Sequence, residues 1–388
     1  MTTKITNANL VLPNAILPAD LIYTADRITA IGGNTTADRT IDARGGYICP
    51  GFIDLHLHGG AGHDFIDGTT AAYEAIARFH LSQGTTTSTP TILSARPEEV
   101  YTSLEAYNSL KHRQDLGFAG IHMEGPYFAY SQRGAQDPSC FLDLSARDYE
   151  RFYTICPDIV RWSAAPELED TDHFASFCRD KKIRLSIAHS GAMYGEIERA
   201  REDGWDMFTH LYSGMTTVQR IDGYRIGGAV EAALLLGDMY TETIADLKHL
   251  PAELLRLVHK VKGRDHNCLI TDAMRATGQN VSESILGSTR NGQRVLIEQG
   301  VAWMPDKTAF AGSIATSAQL VRNTANAGIG LIDAVYMAST TPAKVLGRED
   351  IGSLEVGKKA DIVVLNKELY VEKVIKNGEV VVNPIPSL

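Results

Sequence analysis

Two histidines, His56 and His58, are separated by one residue in a mostly apolar segment of the chain. Successive side chains of a β-strand point to opposite faces, so residues two apart share a face and both imidazoles would lie on the same side. Imidazole nitrogens are ligands that zinc, iron and other first-row divalent metals accept. The pair therefore indicates a metal site at the end of a strand.

Four further polar residues each follow a short apolar run: Glu124, His189, His210 and Asp272. If these runs are parallel strands of one barrel, their carboxyl ends meet at the face where catalytic groups of such barrels lie. Burial of so many polar groups costs free energy unless they share a partner, which a metal ion supplies. We predict a divalent metal site formed by His56, His58, Glu124, His189 and His210.

Not every histidine is interpreted as a ligand. A single histidine at a strand end is more often a hydrogen-bonded core residue, and we interpret His63, His122 and His259 in that way. The predicted ligands include no thiolate, and imidazole with carboxylate does not distinguish zinc from iron.

Asp272 follows the last apolar run and has two interpretations. It could cap a helix that starts near Met274, a common role for aspartate. Alternatively it is a general base: a metal ion lowers the pKa of a coordinated water to roughly 7, and a nearby carboxylate can take its proton and return it to a leaving amine. The second interpretation predicts hydrolysis of an amide-like bond.

The elements that must position these residues alternate between short β-branched or apolar runs and helical patterns, which is typical of repeated βα units. Eight such runs lie between residues 50 and 340, which is the number of strands in a closed (β/α)8 barrel. The runs are centred on residues 53–55, 85–87, 120–122, 160–163, 185–187, 207–209, 241–244 and 268–271. Helical patterns lie between them at residues 73–83, 191–203 and 251–261.

The two chain ends share a different sequence pattern, in which short apolar stretches are separated by turn residues. This pattern predicts antiparallel β structure. We therefore predict an α/β protein with two parts. Residues 1–50 and 341–388 would form a small β-sandwich domain, and residues 51–340 the TIM-like (β/α)8 catalytic barrel.

Composition narrows the choice of partners and compartment. The 388 residues carry 37 Lys and Arg against 47 Asp and Glu, a net charge of −10 without a basic run, which argues against nucleic acid. No stretch approaches the roughly 18 apolar residues of a membrane span, so no membrane partner is expected. The five scattered cysteines indicate neither a disulfide framework nor a thiolate zinc site and favour the cytoplasm.

The segment Pro50–His58, with the β structure that brackets the barrel, resembles the amidohydrolase superfamily. Within that superfamily the chain resembles deacetylases of N-acetylated amino-sugar phosphates over about residues 5–380. The segments that carry this resemblance are residues 122–127, 133–136, 188–190, 209–212 and 271–273. The most specific is H-x-E-G-P, where Glu124 replaces the carboxylated lysine of many relatives.

The resemblance implies roles for individual residues. Glu124, His189 and His210 would form the main metal site, and Glu124 would bridge to a second ion on His56 and His58. Two ions, zinc or iron, are therefore expected, with Asp272 as the acid/base. The positions that match substrate-binding segments are Ala135, Gln136, Ser213, Gly214, Arg225, His249, Phe310, Ala311 and Gly312.

The segments that match the phosphate site depart from the family pattern. Ser213-Gly214 stands where the pattern has Asn-Ala, and Leu247 stands where it has Gly, although His249 and Arg225 are retained. In the family this Arg reaches the phosphate in the neighbouring subunit, which implies a homodimer. Two further cations, Lys248 and Arg275, are interpreted as attracting an anionic group of the substrate.

The expected reaction is hydrolysis of the N-acetyl group of N-acetylglucosamine 6-phosphate, giving glucosamine 6-phosphate and acetate. One alternative substrate is another N-acetylhexosamine phosphate, such as the galactosamine epimer. A different amidohydrolase would bind the carboxylate of an N-acyl amino acid, or a cyclic amide, with Lys248 and Arg275. A metal-free binding protein is the remaining alternative, although such proteins usually lose the ligands that this chain retains.

Overall fold

Eight parallel strands form the central sheet of the computed structural model, which describes residues 1–33 and 35–381. They follow one another in chain order, and a parallel bridge between Leu57 and Ala273 joins the two edges into a barrel. The strands are Phe52–Leu57, Thr85–Ile92, Ile121–Glu124, Ile159–Ala164, Arg184–Ile187, Trp205–Phe208, Tyr240–Thr243 and Asn267–Leu269. Each overlaps one of the eight predicted runs, so the predicted (β/α)8 fold is confirmed.

Helices cover the outside of the barrel. The α-helices of the described residues are Thr70–Ser82, Pro97–Leu110, Asp148–Ile155, Thr171–Lys181, Tyr194–Glu202, Ala229–Leu235, Ala252–Lys262, Ser317–Thr324, Leu331–Met337 and Thr340–Val345. The first begins three residues before its predicted start because Thr69 accepts a hydrogen bond from the backbone N–H of Ala72. None of these helices is long and apolar enough to cross a membrane.

Aromatic packing fixes the helices against the strands. Trp162 of the fourth strand and Trp205 of the sixth are fully buried, and both contact Phe174 of the helix Thr171–Lys181. The ring centroids lie 5.3 Å apart for Trp162 and 6.4 Å apart for Trp205. Such close packing makes a barrel wall that holds the strand ends in place.

Both chain ends contribute to one β structure beside the barrel. A four-stranded sheet contains Arg27–Ile31, Leu21–Thr24, Thr2–Thr6 and Arg39–Asp42. A six-stranded sheet contains Glu379–Val381, Val371–Lys376, Ile362–Leu365, Tyr47–Pro50, Asn9–Val11 and Ile16–Pro18. Buried residues of the two sheets, such as Ile5 and Ile362, share one hydrophobic cluster, as in a sandwich.

Strand Tyr47–Pro50 connects this sandwich directly to the first barrel strand, which begins at Phe52. The predicted domain boundaries near residues 50 and 340 stay a prediction. Asn34 and residues 382–388, which belong to the predicted β domain, lie outside the described residues.

The two sandwich sheets each contain one parallel pair, so they are not purely antiparallel as predicted. A further sheet, antiparallel throughout, follows the last barrel strand and was not predicted from the sequence. It consists of Glu283–Leu286, Gln293–Glu298, Val301–Trp303 and Phe310–Ser313. A bridge from Ala273 to Ser313 attaches it to the barrel's carboxyl end.

Two short antiparallel hairpins complete the strands of the described residues. One pairs Gly59–Gly60 with His63–Asp64, and the other pairs Gln219–Ile221 with Tyr224–Ile226. Short 3-10 helices lie at Phe65–Asp67, Gln114–Leu116, Tyr130–Gln132, Pro138–Cys140 and Leu144–Ala146, and a π-helix at Ala325–Ile329.

Candidate active site

Four imidazole rings converge on the carboxylate of Glu124 at the carboxyl end of the barrel. Glu124 Oε1 lies 3.0 Å from His210 Nε2, 3.4 Å from His189 Nε2 and 3.6 Å from His56 Nε2. The other oxygen, Oε2, lies 3.3 Å from His58 Nε2. All five side chains are buried, so the structure brings the predicted ligands together.

The backbone turns sharply where three site residues leave their strands. His189, His210 and Asp272 have φ angles of 44°, 30° and 49°, in the left-handed region that non-glycine residues rarely adopt. Such a conformation costs of order 1–3 kcal/mol per residue and persists where the surroundings impose it, often at functional sites. The fold therefore accepts local strain to point these side chains into the barrel mouth.

Asp272 lies among the histidines rather than at the start of a helix. Its Oδ1 is 3.2 Å from His58 Nε2 and 3.5 Å from His56 Nε2, and its backbone N–H donates to the carbonyl of His56. No helix follows it among the described residues before Ser317, so the capping interpretation is wrong. Its carboxylate is available to the site.

The donor geometry fits a divalent metal. His189 Nδ1 lies 2.8 Å from the carbonyl of Gln132 and His56 Nδ1 lies 3.2 Å from the Glu242 carboxylate. Donation from each Nδ1 leaves the lone pair of each Nε2 free for coordination, an arrangement common in metal sites. His56 Nε2 and His58 Nε2 are only 3.2 Å apart, which two lone pairs tolerate poorly without a shared cation.

Two overlapping ligand groups share Glu124. One contains His56, His58 and Glu124, and the other contains Glu124, His189 and His210, with the ligand atoms of each group within 4.8 Å of one another. The chain therefore offers a metal site made of imidazole and carboxylate, as the sequence predicts.

Electrostatics in the site favour bound cations. Burial alone would raise the pKa of Glu124, but its contacts with His189 and His210 and the charges of His56 and His58 together outweigh burial and hold that pKa well below its usual value. Burial likewise raises the pKa of Asp272, but its hydrogen bond with His58 and the charges of His56, His58 and His210 together outweigh burial and lower that pKa. Both carboxylates are therefore ionised at neutral pH.

Glu242 and Arg161 form a buried pair beneath the ligands that the sequence analysis did not single out. Glu242, on the seventh barrel strand, accepts from His56 Nδ1 and from the backbone N–H of His210, and it forms an ion pair with Arg161. Burial opposes ionisation of Glu242, but the charge of Arg161 and the hydrogen bond from His56 together bring its pKa to about 2. The sequence feature that could have indicated this role is the position of Glu242, a charged residue inside the predicted strand 241–244.

His122 belongs to the same interior network. Its ring contacts the hydroxyls of Thr91 and Ser163, at 3.1 and 2.7 Å, and the guanidinium of Arg161. It is thus a hydrogen-bonded core residue, as predicted.

A cavity of about 310 Å³ opens above the ligands and collects most of the predicted substrate residues. Those that line it are Ala135, Gln136, Ser213, Gly214, His249, Phe310, Ala311 and Gly312, together with His58, Glu124, His189, His210 and Asp272. Gly312 has φ 79°, and a Cβ there would lie 2.9 Å from the carbonyl of Asp272, so glycine is required at this wall.

Two of the lining side chains are already oriented. Gln136 donates from Nε2 to Glu124 Oε2 over 2.7 Å and accepts from the backbone N–H of Ser94. His249 Nδ1 lies 2.7 Å from the Asp246 carboxylate, and its ring rests on Phe310 with centroids 4.7 Å apart. With Nδ1 engaged, Nε2 is the free nitrogen of His249.

The predicted cations lie elsewhere. Arg225 is exposed on the hairpin Gln219–Ile226 and does not line the cavity, and neither does the exposed Lys248. The interpretation of Arg275 as an anion-binding residue is wrong. It is buried and forms two hydrogen bonds with the carboxylate of Asp67, at 2.8 and 2.7 Å.

Sequence comparisons relate the chain to enzymes of amino-sugar metabolism. The amidohydrolase family profile matches residues 47–381. A curated N-acetylglucosamine-6-phosphate deacetylase of Vibrio furnissii is 30% identical over 379 residues, 96% of this chain and 92% of the relative. An N-acetylgalactosamine-6-phosphate deacetylase of Escherichia coli O157:H7 is also 30% identical, over 86% of this chain and 87% of the relative.

Solved structures agree with the sequence comparison. The N-acetylglucosamine-6-phosphate deacetylase of Pasteurella multocida superposes with a TM-score of 0.91 at 28% identity, covering 98% of this chain and 99% of the other. A mutant of the Mycobacterium smegmatis enzyme, in complex with N-acetyl-D-glucosamine-6-phosphate, gives a TM-score of 0.88 at 27% identity over 99% of both chains.

Proposed function

The chain belongs to the amidohydrolase family, and we propose that it hydrolyses the N-acetyl group of N-acetylglucosamine 6-phosphate to glucosamine 6-phosphate and acetate. The observation that carries this proposal is the convergence of Glu124, His189, His210 and Asp272 on one cavity. The similar Escherichia coli relative makes N-acetylgalactosamine 6-phosphate the second candidate.

Two divalent ions, zinc or iron, are proposed for the overlapping ligand groups. Glu124, His189 and His210 would hold one ion, and His56 and His58 would hold the other with Glu124 between them. Five protein ligands exceed what one tetrahedral ion with an open position can use. When bound, such ions polarise a carbonyl and lower the pKa of a coordinated water.

Asp272 would transfer the proton. It is ionised and lies on the cavity wall, so it can accept a proton as the water oxygen bonds to the acetyl carbon. The same carboxyl group then gives that proton to the nitrogen as the C–N bond breaks. The products are the amine and acetic acid, which releases the second proton of the water to become acetate, and Asp272 returns to its ionised state.

Gln136 would orient the acetyl group. Its amide nitrogen donates a hydrogen bond to Glu124, which both ligand groups share. An amide N–H can also donate to an acetyl oxygen. An amide cannot act as an acid at neutral pH, so Gln136 is assigned to positioning. Proton transfer therefore rests on Asp272.

The phosphate would lie on the far side of the cavity. The free nitrogen of His249, the turn Ser213-Gly214 and the backbone of Phe310–Gly312 offer donors along one wall. Hydrogen bonds to a charged group are worth about 1.5–3 kcal/mol each. This wall would thus favour the phosphorylated sugar over the free sugar.

Arg225 would complete that site in a homodimer. The hairpin Gln219–Ile226 exposes Tyr224 and Ile221, 76% and 41% accessible, and Val218 beside it is 51% accessible. Adjacent exposed apolar side chains are typical of a surface that another protein covers. With the hairpin against a second copy, Arg225 would reach the partner's cavity.

A cytoplasmic location is also proposed. All five cysteines are free, and four of them are buried. Free cysteines without disulfides are typical of reducing compartments.

The substrate is tested by comparing kcat/KM of the metal-loaded protein for four compounds. These are N-acetylglucosamine 6-phosphate, its galactosamine epimer, unphosphorylated N-acetylglucosamine and an N-acetyl amino acid. We expect the first to be best and to exceed the free sugar by roughly 10²–10⁴-fold, the equivalent of two charge-assisted hydrogen bonds. His189→Asn, which removes a ligand, is the control for a contaminating deacetylase and should be inactive.

Equal kcat/KM for the phosphorylated and free sugars would contradict the proposed substrate. Preference for the N-acetyl amino acid would favour the alternative amidohydrolase. That alternative needs Lys248 and Arg275 to bind a carboxylate of the substrate, but Arg275 is already paired with Asp67.

A further inference from the structure

A second cavity, of about 450 Å³, opens at the opposite end of the barrel, among the amino ends of the strands. Arg184 begins the fifth strand and Gly204 precedes the sixth, and both line it. It shares no lining residue with the candidate active site. Its charged lining residues are two acidic ones, Asp203 and Asp206, and six basic ones, Arg161, Arg179, Lys182, Arg184, Lys344 and Arg348.

Four of the six basic residues have a carboxylate partner, and two do not. The paired ones are Arg161 with Glu242, Arg184 with Asp206, Lys344 with Asp265 and Arg348 with Asp350. In the described part of the chain, Arg179 donates to the carbonyl of Asp203 and the hydroxyl of Ser176, at 3.4 and 3.5 Å, and forms no ion pair. Within residues 1–33 and 35–381, Lys182 forms no ion pair. Both unpaired cations border the cavity of a protein whose net charge is −10.

The helix dipole accounts for part of this arrangement. Arg179 and Lys182 lie at the carboxyl end of the helix Thr171–Lys181, where cations are favoured. It does not account for Arg161 and Arg184, which lie on strands, nor for the open space between these residues.

Arg161 supplies an independent sign of a missing partner. The side chain is 3% exposed and forms part of the cavity wall together with Leu55 and Thr89 of the barrel interior. Its terminal nitrogens bind Glu242 and His122, but its Nε has no hydrogen-bond partner. A buried donor without a partner is unfavourable, and such groups are rare in folded proteins.

We propose that this cavity is a binding site for a small phosphate monoester. Guanidinium groups bind phosphate oxygens through paired N–H donors, and Arg179, which has no carboxylate partner among the described residues, lines this space beside Lys182. The volume lies within the 300–1,000 Å³ typical of small-molecule sites. The ligand would bind at the end of the barrel away from the acetyl group, so it is not the substrate in its reacting position.

The test uses two variants of equal charge change in the full-length protein. Arg179→Gln with Lys182→Asn removes the two unpaired cations, and Asn suits residue 182 because its φ is 59°. Lys181→Gln with Arg199→Gln is the control, since both residues are exposed and neither lines the cavity. Calorimetric titration with inorganic phosphate and with glycerol 3-phosphate measures binding to each protein.

We expect wild type and control to bind one equivalent of glycerol 3-phosphate that the Arg179/Lys182 variant binds at least tenfold more weakly. Tighter binding of the ester than of inorganic phosphate would identify the esterified group as the ligand. The reverse order, or equal binding by all three proteins, would overturn the proposal. Equal binding would leave the catalytic end as the only phosphate site.

Arginine modification by phenylglyoxal, mapped by peptide mass spectrometry, locates the ligand. Glycerol 3-phosphate should protect Arg179 and leave Arg199 reactive. Equal labelling of Arg179 with and without the ligand would place the bound phosphate elsewhere and reject the site. Because neither readout uses turnover, an inactive deacetylase would not change the outcome.

Discussion

At the scale of single residues, Asp272 has surroundings that suit a proton carrier. It lies on the cavity wall against His58, and in the described part of the chain no helix starts between it and Ser317. Asp272→Asn keeps the shape but removes the base, and general acid–base groups contribute typically ~10²–10⁴-fold. We expect kcat to fall by that factor while metal content, measured by elemental analysis, is unchanged.

Asp64→Asn is the matched control for Asp272→Asn. Asp64 is also a buried aspartate near His58 but does not line the cavity, and Asn can still accept the hydrogen bond from the backbone N–H of Ile66. This variant should retain most of kcat. If Asp272→Asn kept more than a tenth of wild-type kcat, the mechanism would need a different base.

Glu242 is a positioning residue, and its effect should appear in metal binding. Its carboxylate holds His56 Nδ1, and removal of such outer partners typically costs about 10–100-fold in metal affinity. We expect Glu242→Gln to weaken the ion on His56 and His58 by that factor and the ion on His189 and His210 less. Competition with a metal chelator measures both affinities.

A control separates that effect from the cost of leaving Arg161 buried without its partner. Glu242→Gln combined with Arg161→Met removes the charge as well, so it should recover stability but not the metal affinity. Recovery of metal affinity in the double variant would show that Glu242 only neutralises Arg161.

Residues with a local signature were predictable, and residues defined by distant partners were not. Each predicted ligand follows an apolar run, and the carboxyl ends of the barrel strands meet at one mouth. Glu242 lies 186 residues from His56, and Arg275 lies 208 residues from Asp67. No pattern in a single sequence shows such pairs. The role of Glu242 was therefore missed, and Arg275 was wrongly interpreted as an anion-binding residue.

At the scale of elements, the hairpin Gln219–Ile226 tests both phosphate recognition and the dimer. Arg225→Ala should lower kcat/KM for the phosphorylated sugar by about 10–100-fold, the value of one charge-assisted hydrogen bond, and leave the free sugar unaffected. Arg220, directly opposite Arg225 in the hairpin, is the control. Equal slowing of both sugars would assign Arg225 a structural role.

The same hairpin predicts complementation between subunits. A mixed dimer of Arg225→Ala and Asp272→Asn chains has one complete site if each Arg225 serves its partner. Mixing the two weakly active variants should therefore restore activity toward the phosphorylated sugar. Activity no greater than the sum of the separate variants would argue against a shared site.

Elements differ in how readily the sequence shows them. The barrel strands are buried on both faces and form continuous apolar or β-branched runs, so all eight were predicted. The strands of the sheet from Glu283 to Ser313 are partly exposed, as in Gln293–Glu298, and lack that pattern. The left-handed turns at His189 and His210 are formed by non-glycine residues, so the sequence gives no sign of them.

At the scale of the whole molecule, the two chain ends meet beside the barrel. Strand Ile362–Leu365 pairs antiparallel with Tyr47–Pro50, which leads into the first barrel strand and thence to His56 and His58. The similar pattern of the two ends predicted that they build one β domain, but not which strands pair. Folding of the sandwich and assembly of the metal site are thus connected through one continuous segment.

Metal removal should therefore destabilise the whole protein. The ligands come from separate barrel strands and are assembled only in the folded state, so bound metal stabilises that state by mass action. An ion present at 1,000 times its dissociation constant contributes about 4 kcal/mol. At roughly 1.2 °C per kcal/mol for a chain of 388 residues, chelation of each ion should lower Tm by about 5 °C.

The size of this shift distinguishes one ion from two. His56→Ala with His58→Ala leaves Glu124, His189 and His210 intact, so it should lose only the contribution of one ion. Chelation should then lower the Tm of this variant by about half as much as that of wild type, and added metal should restore both values. An equal shift in the two proteins would mean that His56 and His58 hold no ion of their own. In that case their close approach, with Nε2 atoms 3.2 Å apart, would have to be stabilised by a proton instead.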